Sequence, residues 1–307
     1  MNRSKLIGAT ALASVMAASA AHAEMSISGL YAGKLTDTDG GGLAHTFSTN
    51  SIYVSYSDSM DNGMGVSVNM SVTDAAIKTD VNIDTGMGTI ALGNGVDSAV
   101  DGMDGSPACF SLNLCGSAMN ANYNDGDTAS GNSIGYSNSI GGISFNITRG
   151  MEVAAADAVA TTATAIGTAA VEGMEPVTSV AASTSIMGAT VKAGVSQIDN
   201  KGATADTDPN FVTVGYSLAG LSLGYAMYDG DNGGEETQMG VGTSLMGMSV
   251  GVTFADADLA TDVDYTMISA SKGMGAASFG IDYTETDVAG TDTGDSDAWQ
   301  FTYVVGF

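Results

Sequence analysis

Apolar and polar residues alternate along most of this chain. In the segment MSVGVTF (248–254), every second residue is apolar and the residues between them are Ser, Gly and Thr. The segment ISFNIT (143–148) alternates in the same way. A period of two places successive side chains on opposite faces of a β-strand. The pattern therefore predicts strands that have one apolar face and one polar face.

The alternation predicts sixteen strands, joined by seven short Gly-containing turns that alternate with eight longer connections. Related turn units recur, as in YSLAGLSLGY (216–225) and TSLMGMSVGV (243–252), where Gly supplies the positive φ of a tight hairpin. An even strand count with short turns at one end is typical of an outer-membrane barrel. The predicted strands are 25–34, 46–57, 64–73, 77–84, 88–93, 131–139, 142–150, 177–186, 189–198, 210–217, 220–228, 236–245, 248–256, 262–271, 274–284 and 296–307.

The placement of charged and aromatic residues separates a membrane barrel from a soluble β-sandwich, which would alternate in the same way. Most of the 34 acidic residues fall in or beside the longer connections, and the apolar positions at strand centres carry almost no charge. Tyr56 and Tyr136 stand just before short turns, whereas Phe254 and Tyr283 stand just before acidic loops. Two aromatic levels and an uncharged band between them favour a lipid-facing barrel.

The chain ends in a strand whose outer residues are all apolar or aromatic. These residues are Trp299, Phe301, Tyr303, Val305 and Phe307. A soluble domain has little reason to end on a hydrophobic residue. This terminus resembles the assembly signal of bacterial outer-membrane proteins, and the resemblance implies the barrel-assembly machinery as a folding partner.

Residues 1–23 have the pattern of a secretory signal peptide. Arg3 and Lys5 precede an apolar stretch, and AHA at 21–23 is a small-x-small cleavage site. A membrane anchor would need a longer apolar run with less Ala and Ser. We therefore expect export through the periplasm and a mature domain that spans 24–307.

The charge and the histidine content exclude several classes of function. A net charge of −26, with only 8 basic residues, excludes nucleic acid as a partner. His45 is the only histidine after residue 23, so a His-based catalytic site would depend on one side chain. We expect neither an enzyme nor a cofactor. Loop carboxylates are expected to bind divalent cations weakly, through oxygen ligands.

The strand number predicts a channel. Barrels of about eight strands are filled by side chains, whereas 16–18 strands leave an aqueous passage. The residues that oppose the apolar face are mostly Ser, Thr, Asn, Gly and Ala. Such residues can line water but cannot form a dry packed core. The sequence therefore predicts a water-filled barrel.

The segment TGMGTIALGNGVDSAV (85–100) resembles the fifth strand and third loop of Gram-negative general porins of the alphaproteobacterial type. In that family the third external loop folds into the barrel and narrows it, which here corresponds to 94–130. The resemblance implies an all-β, 16-stranded antiparallel transmembrane β-barrel with short periplasmic turns, long external loops and an inward-folded third loop. It also implies a homotrimer in the outer membrane, in contact with lipid and lipopolysaccharide.

The same resemblance implies acidic residues on the constriction loop and basic residues on the barrel wall. The acidic candidates are Asp97, Asp101, Asp104, Asp125 and Asp127. The basic candidates, which have lumen parity, are Lys34, Lys78 and Lys192. General porins often carry a dense arginine cluster in the pore, and this sequence has none.

The two cysteines of the chain, Cys109 and Cys115, lie in the third loop. Because exported proteins meet an oxidising compartment, we expect a disulfide that stiffens the constriction, with two free thiols as the alternative. Two cysteines without histidine make a poor zinc site.

The predicted function is passive diffusion of ions and small hydrophilic solutes through the outer membrane. Acidic residues at the mouth raise the local cation concentration within a Debye length of about 8–10 Å, which predicts cation preference. A substrate-selective porin, for example a sugar channel, would be favoured by lumen aromatics, of which Tyr53 and Tyr228 are isolated examples. A surface-structural or adhesin barrel is the other alternative.

Overall fold

A computed structural model describes nine stretches of the chain. The predicted signal peptide (1–23) lies outside them, as do Cys115, Asp125 and Asp127, so the predictions on these residues stay predictions. The described stretches are 24–38, 42–73, 77–112, 133–150, 177–198, 207–230, 234–258, 262–290 and 295–307.

The described residues form one closed antiparallel barrel of sixteen strands. Each strand pairs with its neighbours in sequence, and β1 pairs with β16 from Leu30–Gly306 to Thr38–Ala298. Closure leaves no unpaired sheet edge, and this confirms the predicted fold class. The strands are β1 (Glu24–Thr38), β2 (Gly42–Ser59), β3 (Gly65–Thr73), β4 (Ile77–Asp84), β5 (Thr89–Gly93), β6 (Ser133–Ile140), β7 (Ile143–Gly150), β8 (Val177–Ile186), β9 (Ala189–Ile198), β10 (Asn210–Leu218), β11 (Leu221–Asp229), β12 (Glu235–Leu245), β13 (Met248–Asp258), β14 (Val263–Met274), β15 (Ala277–Val288) and β16 (Ser296–Gly306).

No helix with the length and hydropathy of a membrane span occurs among the residues that the structure describes.

The first hairpin differs from its prediction. β1 continues to Thr38 and β2 begins at Gly42, so that only residues 39–41 connect them, and the β3–β4 connection is equally short at 74–76. The predicted β1–β2 connection, 35–45, is therefore too long, whereas the β3–β4 connection has the bounds that the predicted strands gave it. The apolar signal stops near Leu35, but backbone pairing continues to Thr38. A strand that rises above the lipid meets water on both faces, so its sequence loses the alternation while its hydrogen bonds persist.

The apolar parity of the strands faces outward. Val195, Val241, Ile268, Ile281 and Phe301 are 39 to 52% exposed on the outside of the barrel. The outward face of β16 also carries the predicted assembly signal, in which Trp299 and Phe307 are the most exposed. A continuous exposed apolar surface of this kind is stable in lipid rather than in water.

Two-residue turns close several hairpins. At Met187–Gly188 and Met246–Gly247 both residues have positive φ, between 52° and 87°. Positive φ at both central positions defines a type I′ turn, whose twist matches that of antiparallel strands. Positive φ is unfavourable for the methionine at the first position, whereas the glycine at the second position adopts it without a steric cost.

Aromatic side chains of the C-terminal strand pack over glycines where the barrel closes. Phe307 exchanges backbone hydrogen bonds with Gly29 at 2.8 and 3.1 Å, and Tyr303 pairs directly with Gly33. A Cβ at either glycine would overlap the aromatic ring across from it. Tyr303 Oη also lies 3.1 Å from His45 Nε2. The C-terminal aromatic residues therefore take part in the joint between the first and last strands.

Candidate functional site

The third loop turns into the barrel at the end of β5. A Cβ at Gly93 would overlap the Thr79 carbonyl, so only glycine allows this turn. Gly95 N–H donates to Thr79 O at 3.1 Å, and Thr79 N–H donates to Asn94 Oδ1 at 2.7 Å. These bonds fix the base of the loop against β4.

Hydrogen bonds between the loop backbone and strand side chains hold the loop along the inner wall. Ala99 N–H donates to the hydroxyls of Thr148 and Ser179, at 2.7 and 2.8 Å, on β7 and β8. Sequence reasoning did not identify these two residues, because hydroxyl side chains occur at many lumen positions.

Further along, two side chains donate to loop carbonyls. Tyr228 Oη donates to Asp104 O at 2.8 Å, and Thr253 Oγ1 donates to Ala108 O at 2.7 Å. The loop therefore crosses from β5 to β13 with its backbone bonded to side chains of β7, β8, β11 and β13.

Apolar contacts support the same path. Ala99 and Val100 are fully buried in a cluster with the lumen-facing residues Ala181, Phe211, Ala226 and Tyr228. Cys109 packs against Ala255 and Met267. The predicted disulfide to Cys115 stays a prediction, because Cys115 is not among the described residues.

Lumen-facing glycines form the surface on which the loop rests, and we call these residues the glycine track. A Cβ at Gly224 would overlap the Pro107 carbonyl, and one at Gly240 would overlap that of Ala108. The Phe110 ring lies directly over Gly251. The members of the track are Gly135, Gly194, Gly215, Gly224, Gly240, Gly242, Gly251 and Gly280.

Three predicted acidic residues lie on the described part of the loop. Asp97 is half exposed and pairs with Lys78 Nζ at 3.4 Å. Asp101 is exposed, and its backbone N–H donates to Ser98 Oγ at 3.0 Å. Asp104 is partly buried where Tyr228 bonds its carbonyl. The loop thus carries a carboxylate at its base and two more along its length.

The predicted lysines occupy three sectors of the wall. Lys78 stands on β4 beside the loop base, and its bond to Asp97 is the one ion pair that joins two described residues. Lys34 on β1 pairs in register with Thr302, and Lys192 on β9 shares its face with Gly194 of the track. Lys78 is therefore a neighbour of the acidic loop rather than its counterpart across the lumen.

The lumen face of β2–β4, which we call the open wall, forms a polar recess beside the loop base. A cavity of about 350 Å³ lies there, and Tyr53, Lys78 and Asp97 contribute to its lining. Asp80 Oδ2 accepts hydrogen bonds from Asn69 Nδ2 at 2.8 Å and from Asn82 Nδ2 at 2.5 Å. The lumen parity of Asn69, Asp80 and Asn82 was visible in the sequence, but nothing in the sequence placed these residues beside the third loop.

The two aromatic candidates of the lumen have different surroundings. Tyr53 on the open wall is 42% exposed, whereas Tyr228 is 1% exposed beneath the loop. Phe211, next to Tyr228, is equally buried. Of these three lumen-facing aromatic residues, only Tyr53 therefore lines the water.

Two buried carboxylates lie on the wall near the loop. Glu236 accepts a hydrogen bond from Gln238 Nε2 at 2.6 Å. Asp282 is 1% exposed and faces Ser269 and Gln300 on the adjacent strands. Sequence reasoning placed neither residue at the site. Among the described residues, no three side chains of His, Cys, Asp or Glu converge as metal ligands.

A closed sixteen-stranded barrel, apolar outside and narrowed by an inward loop, defines a transmembrane channel. The sequence matches the family model described as Gram-negative porin over residues 8–306. The chain belongs to this family. It is therefore an outer-membrane porin, and its family points to a channel rather than an enzyme. This confirms the resemblance seen in the sequence.

Solved porin structures share the fold at low sequence identity. A mutant of the Rhodopseudomonas blastica porin has a TM-score of 0.69 and 16% identity, over 92% of this chain and all of that one. The anion-selective porin from Comamonas acidovorans has a TM-score of 0.64 and 12% identity, over 93% and 100%. OmpT of Vibrio cholerae, described as a trimer form, has a TM-score of 0.64 and 11% identity, over 94% and 100%.

No curated protein matches the sequence at a significant level.

Proposed function

We propose that this porin is a cation-preferring channel through which ions and small hydrophilic solutes diffuse passively. The observation that carries the proposal is the placement of Asp97, Asp101 and Asp104 on a loop that runs inside the barrel. Carboxylates at the narrowing raise the cation concentration within about 8–10 Å, where permeating ions must pass.

The balance of charge in the lumen supports this sign of selectivity. Lys78 is already paired with Asp97, so its charge is partly neutralised. The chain as a whole carries a net charge of −26. The Comamonas acidovorans porin, which shares the fold, is described as anion-selective. The fold therefore does not determine the sign, and we attribute the preference of this chain to its own charged residues.

The proposal includes the assembly and maturation of the channel. Export would remove residues 1–23, and the C-terminal aromatic strand would be recognised by the barrel-assembly machinery. A homotrimer in contact with lipid and lipopolysaccharide is consistent with the trimer form described for OmpT of Vibrio cholerae. A Cys109–Cys115 disulfide would stiffen the loop, and the loop carboxylates would bind divalent cations weakly.

Reversal potentials in planar bilayers under a KCl gradient test the proposed selectivity. We expect the wild type to prefer K⁺, and the isosteric triple variant Asp97→Asn, Asp101→Asn, Asp104→Asn to lose much of that preference. The matched control is Asp256→Asn, Asp258→Asn, Asp287→Asn, which removes the same charge from exposed positions on the outward parity.

The possible results separate the parts of the proposal. A preference for Cl⁻ in the wild type would refute cation selectivity. Equal effects of the two triple variants would show that total charge, and not the loop, sets the preference. Absence of any conductance from correctly folded barrels would contradict the diffusion function. Saturable block of the current by one sugar would favour a substrate-selective porin.

A further inference from the structure

The third loop approaches the wall more closely than any residue with a side chain would allow. We propose that the glycine track sets the distance of the loop from the wall, and thereby the open cross-section of the channel. Its members are positioning residues for permeation. The inference rests on the proposed diffusion function but not on the sign of the selectivity.

Five of the eight members of the track form two rows across neighbouring strands. Gly215, Gly224 and Gly240 are direct cross-strand partners on β10, β11 and β12. Gly242 and Gly251 are partners on β12 and β13. Paired positions in an antiparallel sheet have side chains about 4.5–5.5 Å apart on the same face. These rows therefore provide two adjoining strips of bare backbone that face the lumen.

Two glycines of the first row, Gly224 and Gly240, touch loop backbone, which cannot move aside as a flexible side chain can. A Cβ at Gly240 would lie 2.8 Å from the carbonyl carbon and 3.0 Å from the Cα of Ala108, whereas ordinary contact begins at 3.4 Å. Thr253 holds the same Ala108 carbonyl at 2.7 Å. The loop is thus bonded to the wall at a point where the neighbouring wall residue, Gly240, has no side chain.

The second row touches an aromatic ring. Cβ atoms at Gly242 and Gly251 would both fall within 3 Å of Phe110 ring atoms. The Phe110 ring therefore lies directly against the backbone of β12 and β13. A methyl group at either glycine would lift the ring, and the loop with it, toward the centre of the lumen.

Glycine at these positions has a cost that the loop contact explains. Gly in a strand interior is less stable than Ala, and it often marks a site where another backbone approaches. The open wall carries larger residues at the equivalent parity, such as Tyr53, Asn69 and Lys78. The glycines are concentrated where the described loop runs, which is consistent with a positioning role.

Single Gly→Ala variants with graded contacts test the proposal. At Gly240 the added methyl meets loop backbone, whereas at Gly215 it meets only the Pro107 side chain at 3.0 Å. Gly65 and Gly273 are the matched controls, since both lie in strands and an added Cβ would have no neighbour nearer than 3.4 and 3.9 Å. The readout is single-channel conductance of purified barrels in KCl, together with liposome swelling by sugars of increasing size.

We expect G240A to lose the most conductance and to exclude smaller sugars than the wild type does. G215A should lose less, and G65A and G273A should match the wild type. Wild-type conductance in G240A, or equal losses in the controls, would overturn the proposal. If G240A does not fold, G251A and G251A/F110L decide the matter, because the smaller leucine should restore the conductance that G251A loses.

The same recordings keep this test separate from the proposed selectivity. If the wild type prefers Cl⁻, the cation proposal fails while the graded conductances still test the track. If the wild type does not conduct at all, the diffusion function fails. In that case, swelling of wild-type and variant liposomes in small sugars shows whether any passage exists that the track could regulate.

Discussion

The two sides of the lumen are built differently although their strands share one alternation. On β6–β15, which we call the covered wall, many of the lumen positions beneath the loop are glycine, and the aromatic side chains of Phe211 and Tyr228 are buried under the loop. On the open wall, Tyr53 and Lys78 stay substantially exposed. One side of the barrel therefore holds the loop, and the other side faces the water through which solutes pass.

This comparison shows how a barrel too wide to be filled by its own wall becomes selective. A sixteen-stranded barrel leaves a channel. The loop fills part of that channel, and it packs closely against the wall where the wall residues are glycines without side chains. The polar residues of the opposite wall then remain free to line the passage. We therefore expect substitutions on the covered wall to affect the position and mobility of the loop, and substitutions on the open wall to affect ion selectivity.

Phe110→Ala is expected to have the largest effect, because the ring is the main apolar contact between the loop and β12–β13. Phe→Ala costs about 3–5 kcal/mol in a full core, and less here because Phe110 is only half-buried. We expect noisier single-channel currents and faster proteolysis of the loop, with the barrel intact. Tyr53→Ala, which removes an aromatic ring from the open wall, is the control and should leave the loop protected. Quiet currents in Phe110→Ala would contradict the role of the covered wall.

The strands were predictable because their pattern has a local cause. Each residue of a membrane strand faces either lipid or water, so its position can be read from its neighbours. β8 and β9 have the bounds that the alternation predicts, 177–186 and 189–198. The prediction failed at β1 and β2, where pairing continues beyond the lipid and both faces meet water. There the backbone, and not the side-chain pattern, defines the strand.

The contacts of the third loop were not predictable in the same way. The inward fold of the loop came from a family resemblance, since nothing local in 94–112 indicates which wall it follows. Glycine occurs in the turns as well as in the track, so Gly224 or Gly240 alone gives no sign of its function. An isolated strand glycine suggests close backbone approach. The identity of the approaching segment depends on pairing between residues more than a hundred positions apart, as for Thr253 and Ala108.

Tyr228→Phe is expected to have a smaller effect on the covered wall. It removes the hydroxyl that donates to Asp104 O at 2.8 Å, a bond worth about 1 kcal/mol. Hydrogen exchange at the amides next to Asp104 should become faster by roughly the factor of 5 that corresponds to 1 kcal/mol. Tyr225→Phe is the control, because Tyr225 lies on the same strand but faces outward. Unchanged exchange near Asp104 would mean that the hydrogen bond does not hold the loop.

Lys78→Met is expected to have the smallest effect on stability and a clear effect on selectivity. The Lys78–Asp97 pair is about half exposed, so its loss should change the free energy of unfolding by less than about 1 kcal/mol. The Lys78→Met substitution leaves the Asp97 carboxylate without its positive partner at the loop base. This should shift the reversal potential toward stronger K⁺ preference. Lys272→Met removes the same charge from the outward face of β14 and should leave the reversal potential unchanged. A shift of equal size in both variants would mean that the electric field at the loop base does not govern ion permeation. The open and covered walls would then not differ in their electrostatic effect on permeating ions.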